Sequence, residues 1–237
     1  MPQIFNLQRL VLAIATFAVI ALGSATASAD TVIFSTAAGA TNSTGLPVGA
    51  TATFTVSGGT LTIVLTNTLA NPLSVSQNIS DLSFHIAGLT GTLSSSFGNT
   101  IFVAADGTTS AGPSGSTGWV LDSSGPDFHL NGLGTAANVP AYTIIGPPGP
   151  GGIYSNANNS IAGNDPHNPF LNQTATFTLT IAGLTSATQI TDVSFSFGTA
   201  PGNSVPGGSV PEPATMLLLG TGLLGVAGVV RRRSRKS

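Results

Sequence analysis

The chain has 237 residues, of which 6 are Lys or Arg, 8 are Asp or Glu and none is Cys. Charged residues make up 6% of it, against roughly a quarter in an ordinary soluble domain. This excludes a coiled coil, a charge-laced helical protein and a basic nucleic-acid binder. The absence of cysteine excludes a disulfide framework, a thiol nucleophile and a Cys-based zinc or iron–sulfur site.

The charges are segregated. The basic residues are Arg9, Arg231, Arg232, Arg233, Arg235 and Lys236, so no Lys or Arg lies between Asp30 and Val230. That stretch holds all the acids: Asp30, Asp81, Asp106, Asp122, Asp127, Asp165, Asp192 and Glu212. A body with acids and no cation repels nucleic acid and anionic lipid.

Arg9 is followed by an apolar run from Leu10 to Leu22, interrupted at Thr16, and then by Ala27-Ser28-Ala29-Asp30. A basic start, a short apolar segment and an A-x-A site form a secretory signal peptide. Signal peptidase accepts small side chains at the two positions that Ala27 and Ala29 fill. The run is short for a membrane span, which needs about 20 residues. Residues 1–29 are therefore read as a signal peptide with a helical apolar segment, cleaved after Ala29.

Residues 30–204 read as an all-β body. Thr51 to Ser57 alternates, with Ala52, Phe54 and Val56 on one face and threonines on the other. Gly58-Gly59 is a hairpin turn signal. Thr60 to Thr66 alternates again, as do Thr174 to Ile181 and Asp192 to Phe197. Weaker strands are Thr31–Ser35, Leu82–Ala87, Thr100–Ala104, Gly118–Leu121 and Ala141–Ile145. Threonine is β-branched and polar, so it favours extended backbone on an exposed face without charge. No segment pairs helical periodicity with cap residues, and an antiparallel β-sandwich is expected. The pentapeptide Ile86-Ala87-Gly88-Leu89-Thr90 recurs as Ile181-Ala182-Gly183-Leu184-Thr185, each followed by Ser-Phe-Gly. Unequal spacing favours convergent strand-and-turn chemistry over a duplicated sheet half. Asp106 to Pro169 is rich in Gly, Pro and Asn, and a long loop of this kind is often functional or disordered.

Residues able to carry chemistry are few. His85 alternates with Phe84 and Ile86 and reads as a solvent-facing strand residue. His129 lies two residues from Asp127, which places both on one face of a strand as a metal or acid/base pair, or leaves His129 a buried hydrogen-bonding residue. His167 sits among turn-forming residues that explain it without a ligand. No G-x-S-x-G, Walker loop or dinucleotide fingerprint occurs. Asp106-Gly107 and Asn164-Asp165 are oxygen-rich loops open to Ca²⁺. No catalytic residue, metal or cofactor is assigned. Trp119, Tyr142 and Tyr154 could stack sugar rings.

Val205 to Val210 reads as a Gly/Pro linker. Pro211-Glu212-Pro213 follows, then an uncharged run from Ala214 to Val230 and the cluster Arg231, Arg232, Arg233, Arg235, Lys236. The run suits a short transmembrane helix, and the cations act as a cytoplasmic stop-transfer signal. This order resembles the PEP-CTERM sorting domain of Gram-negative bacteria that make exopolysaccharide. The resemblance implies that a membrane-embedded exosortase recognises Pro211, Glu212 and Pro213, and that residues 205–237 form a linker, motif, transmembrane helix and basic tail. It implies an inner-membrane intermediate, then a place at the cell surface or in the extracellular matrix. The body is similar to uncharacterised extracellular regions that precede such tails, through Gly45 to Phe54, His167 to Leu171 and Phe195 to Thr199.

The sequence thus points to a non-enzymatic exported protein, with signal peptidase and exosortase as processing partners and no nucleic-acid partner. The alternative is a secreted carbohydrate-binding module acting on exopolysaccharide. A secreted hydrolase would need a pocket joining His129 to a carboxylate. N-terminal sequencing of the exported protein is expected to begin at Asp30; retention of residues 1–29 would refute the signal-peptide assignment.

Overall fold

Alternating residues become strands wherever one face can be buried. In β2 (Ala50–Ser57) and β3 (Thr60–Asn67) the apolar positions are buried and the threonines half-buried. Gly58 and Gly59 join them at φ 55° and 80°, the left-handed conformations that a two-residue hairpin turn demands. The computed structural model describes residues 30–133, 142–164, 168–200 and 202–210. Among these residues the regular structure is all strand, apart from short 3₁₀ turns at Val75–Gln77 and Pro150–Gly152. None of their helices is long and apolar enough to cross a membrane. The expected signal helix and transmembrane helix lie outside the described residues.

The remaining strands are β1 (Asp30–Thr36), β4 (Ile79–His85), β5 (Gly91–Val103), β6 (Thr109–Gly115), β7 (Val120–Ser124), β8 (Asp127–Asn131), β9 (Ile144–Ile145), β10 (Phe170–Ile181), β11 (Thr191–Phe197) and β12 (Ser204–Val210). Their hydrogen-bonded order is β6-β5-β10-β3-β2-β1-β12-β11-β4-β8-β7. The two-residue β9 pairs with both β10 and β4. The eight strands from β10 round to β4 and β9 therefore form a closed barrel, not the expected sandwich. A sandwich leaves each of its two sheets with open edges; here one short strand joins β4 to β10, and closure removes those edges.

Three buried donors hold β9 in the gap. Asn67 Nδ2 donates to Ile144 O at 3.0 Å, Trp119 Nε1 to Tyr142 O at 2.8 Å and Tyr154 Oη to Gly146 O at 2.8 Å. Gly146 passes so close to Leu69 that a Cβ there would sit 2.0 Å from its carbonyl oxygen. The backbone around β9 thus finds its partners in side chains, which a buried irregular segment requires.

The second correction concerns residues 205–210, expected as a linker. With Ser204 they form β12, which pairs with β1 from Ile33↔Val210 to Thr36↔Gly207 and with β11 from Ser194↔Pro206 to Ser196↔Ser204. Gly207 is needed there because a Cβ would sit 2.7 Å from the Phe195 ring.

The repeated pentapeptide also takes on meaning. Ile86–Leu89 and Ile181–Leu184 are the same turn, with Gly88 at φ 71° and Gly183 at φ 81°. Each turn leaves a lone strand, β4 or β10, and leads to a hairpin. In chain order the body runs hairpin, lone strand, hairpin (β2/β3, β4, β5/β6) and again (β7/β8, β10, β11/β12). In the sheet the lone strands are exchanged: β10 lies between β3 and β5, and β4 between β8 and β11. This is the topology of a duplicated half, the reading that unequal spacing disfavoured. The two Ser-Phe-Gly segments diverge, since Phe197 is buried and Phe97 is 52% exposed.

The main core is aromatic and aliphatic. Phe34, Phe54, Phe84 and Phe128 run in a chain of ring contacts at 5.1–5.7 Å between centroids. Trp119 packs on Phe177 at 5.1 Å. A second cluster of Val75, Ile101, Val103, Ile145, Tyr154, Ala157, Ile161 and Phe170 lies under the Gly/Pro-rich connection. Outward threonines line up across strands, with hydroxyl contacts Thr31–Thr55 at 3.3 Å and Thr66–Thr174 at 3.2 Å. Tyr154→Phe leaves the Gly146 carbonyl buried and unpaired, and urea unfolding is expected to show a loss of about 1–3 kcal/mol. Phe97→Ala, on an exposed ring, is expected to change stability by less than about 0.5 kcal/mol in the same assay.

Candidate functional site

The described imidazoles and three carboxylates gather on one wall, the outer face of β4, β8 and β7. β4 turns Leu82 and Phe84 inward, so Asp81, Ser83 and His85 point out; β8 buries Phe128 and Leu130 and turns out Asp127, His129 and Asn131. Register completes the pairs. His85 lies opposite Asp127, and its Nδ1 is 2.7 Å from the Asp127 carboxylate. The β7 ladder skips a residue between Leu121 and Ser123, a bulge that places Asp122 beside His129. His129 Nδ1 lies 2.7 Å from Asp122, and Nε2 lies 3.9 Å from Asp81. Asn131 Nδ2 donates to the other Asp122 oxygen at 2.7 Å.

The pairing inferred from sequence is thus replaced. Asp127 and His129 share a face, but Asp127 serves His85 and His129 serves Asp122. His85 faces outward as expected, half-buried, with its Nδ1 within hydrogen-bond distance of Asp127. The sequence signal that could have located Asp122 is the Gly125-Pro126 turn, since folding the chain there brings residue 122 back to residue 129.

Asp81 is the buried member, with its side chain 5% exposed. Burial pushes its pKa above the ordinary carboxylate value, and the nearby His129 and the Gly132 N–H, which donates to it at 3.2 Å, only partly oppose this. Asp106 goes the other way. It accepts from the Thr108 hydroxyl at 2.7 Å and the Thr108 N–H at 2.9 Å, which lower its pKa. Those bonds turn the Asp106 carboxylate into its own loop. Among the described residues no group of three or more His, Asp or Glu side chains is arranged to hold a metal ion.

Both His129 nitrogens face carboxylates, and Ser123 Oγ donates to Asp127 O. A shallow depression elsewhere, at Ser43, Thr44, Ser76, Phe197 and Asn203, contains no titratable side chain. The aromatic residues considered for sugar stacking form no exposed platform. Trp119 and Tyr154 are buried and hold β9, and Tyr142 packs against the main core. Burial raises the Tyr154 phenol pKa above its ordinary value. Asn168 ties its loop to β5, donating to Val103 O at 2.9 Å and to Ala162 O at 3.0 Å. Asp165, His167, Ala27, Ala29, Pro211, Glu212, Pro213, the run from Ala214 to Val230 and the Arg231–Lys236 cluster lie outside the described residues.

Residues 209–233 match the PEP-CTERM protein-sorting motif. The chain therefore carries the sorting motif of an exported protein that passes through a C-terminal membrane-anchored step, with an exosortase as the consistent processing enzyme. No curated protein and no solved structure matches the chain.

A carboxylate whose folded pKa is raised favours folding in its protonated form. That contribution is complete at low pH and is lost as pH rises through the folded value. At neutral pH the Asp81 charge is therefore a cost that Asp81→Asn removes. The stability of Asp81→Asn relative to the parent is expected to be higher at pH 7 than at pH 4 in urea unfolding. The opposite order would mean that His129 stabilises the Asp81 anion.

Proposed function

We propose that this is a non-enzymatic cell-surface or extracellular-matrix protein whose barrel is the delivered cargo. In this reading signal peptidase releases Asp30 as the first mature residue. The exosortase then recognises Pro211, Glu212 and Pro213, while the segment from Ala214 to Val230 holds the chain in the inner membrane and the Arg231–Lys236 cluster stays in the cytoplasm. The observation that carries it is the sorting motif at residues 209–233, which overlaps the end of the last barrel strand.

The body supports a structural role by its chemistry. It has no Lys or Arg between Asp30 and Val230, and threonines pave the outer faces of β2, β3 and β10. Such a wall is polar, neutral and β-compatible. The His–Asp pairs lie on the outer face of the sheet and bond to one another. These features suit a domain that endures outside the cell better than one that turns over a substrate.

Replacing Pro211, Glu212 and Pro213 with Ala in a host with an exosortase is expected to leave an uncleaved, membrane-bound form, seen as a higher-mass species by mass spectrometry of membrane fractions. Processing of that variant like the parent would reduce the tail to an anchor.

A further inference from the structure

The sorting motif and the barrel share residues. The motif match begins at Ser209, and Ser209 and Val210 are the last two residues of β12. They pair with Phe34 and Ile33 of β1. The expected linker between cargo and motif is therefore a strand of the cargo itself, and Pro211 follows its final ladder pair directly.

β12 is held unevenly along its length. Ser204, Val205 and Pro206 pair with β11. Gly207 to Val210 have ladder partners on β1 alone, although Gly207 still lies against Val193 and Phe195 of β11. It also lacks an apolar anchor: Gly208, Ser209 and Val210 are exposed, and Val210 keeps 41% of its surface in solvent. A segment with one ladder and little burial opens locally at low cost, independently of the core. Four residues released from β1 would span about 13 Å at extended-strand rise.

We propose that Gly207–Val210 is a detachable strap, whose release from β1 lengthens the tether that presents Pro211-Glu212-Pro213 to the exosortase while the rest of the barrel stays folded. The proposal rests on the reading that the motif is an exosortase substrate. In the closed state the motif starts at the wall of the barrel, where an enzyme embedded in the membrane has no slack to draw it in. Opening supplies that slack. The rate of processing then follows the population of the open strap, as cleavage of any transiently opened segment does.

A clamp across the strap tests this. Ser35 and Gly208 are ladder partners, and a Cβ on Gly208 meets nothing within 4 Å. Directly opposed residues of an antiparallel pair lie within disulfide reach, and the chain has no other cysteine to mispair. The full chain with Ser35→Cys and Gly208→Cys, exported into an oxidising compartment, is compared with the parent by the mass-resolved fraction processed over time. The clamped protein is expected to be processed about tenfold more slowly, in proportion to the lost open population. Each single cysteine variant, and the double variant under reductant, is expected to match the parent. A six-residue Gly/Ser spacer between Val210 and Pro211 is expected to restore processing of the clamped protein.

Processing of the oxidised double variant at the parent rate overturns the strap, as does failure of the spacer to rescue it. The variant with Ala at positions 211–213 runs alongside. If that variant is processed normally the sorting reading itself fails, whereas the strap alone fails if it is blocked and the clamp has no effect.

Discussion

Closure of the barrel by Ile144 and Ile145 is the constraint on which the rest of the body depends. Two residues cannot hold a gap between β4 and β10 by ladder bonds alone. They succeed because both side chains are buried and because Asn67, Trp119 and Tyr154 each donate to a carbonyl in or beside the strand. In a dry interior each such bond guards against an unpaired polar group, whose cost exceeds the net worth of the bond. The residues that looked like a sugar-stacking set are thereby committed to architecture.

A body without Lys or Arg must find its stability elsewhere. Among the described residues its close contacts between basic and acidic side chains are the His–Asp contacts of the β4, β8 and β7 wall. The core is a line of phenylalanine rings and branched aliphatics. Its solubility comes from rows of Thr and Ser hydroxyls and from scattered aspartates. This division leaves little for salt or modest acid to disturb. The exception is Asp81, whose buried charge gives the β4 wall a pH dependence of its own.

The two ends of the described chain meet in one ladder. β1 begins at Asp30 and β12 ends at Val210, with Ile33 opposite Val210. The predicted signal-peptidase site and the Pro-Glu-Pro thus flank the same pair of strands.

Much of this was legible in the chain itself. Alternation with period two is a local property, so β2, β3, β10 and β11 could be placed to within a few residues, and their inward faces are buried. The charge segregation and the Pro-Glu-Pro with its apolar and basic sequel are local too, which is why the sorting motif could be recognised. What needed the tertiary structure is non-local. β9 falls inside the expected strand Ala141–Ile145, but two residues carry no sign that they close a barrel, and β12, with Pro206, Gly207 and Gly208, carries linker composition. Both are strands because their neighbours offer unpaired backbone. The partner of His129 depended on a bulge at Asp122 and on hairpin register, and the exchange of β4 and β10 depended on which ladder each lone strand could complete. Periodicity determined the strands, and the local order of Pro-Glu-Pro, apolar run and basic cluster determined the sorting motif. Closure, register and the pairing of charges were decided by backbone groups that had to find partners far away in the chain.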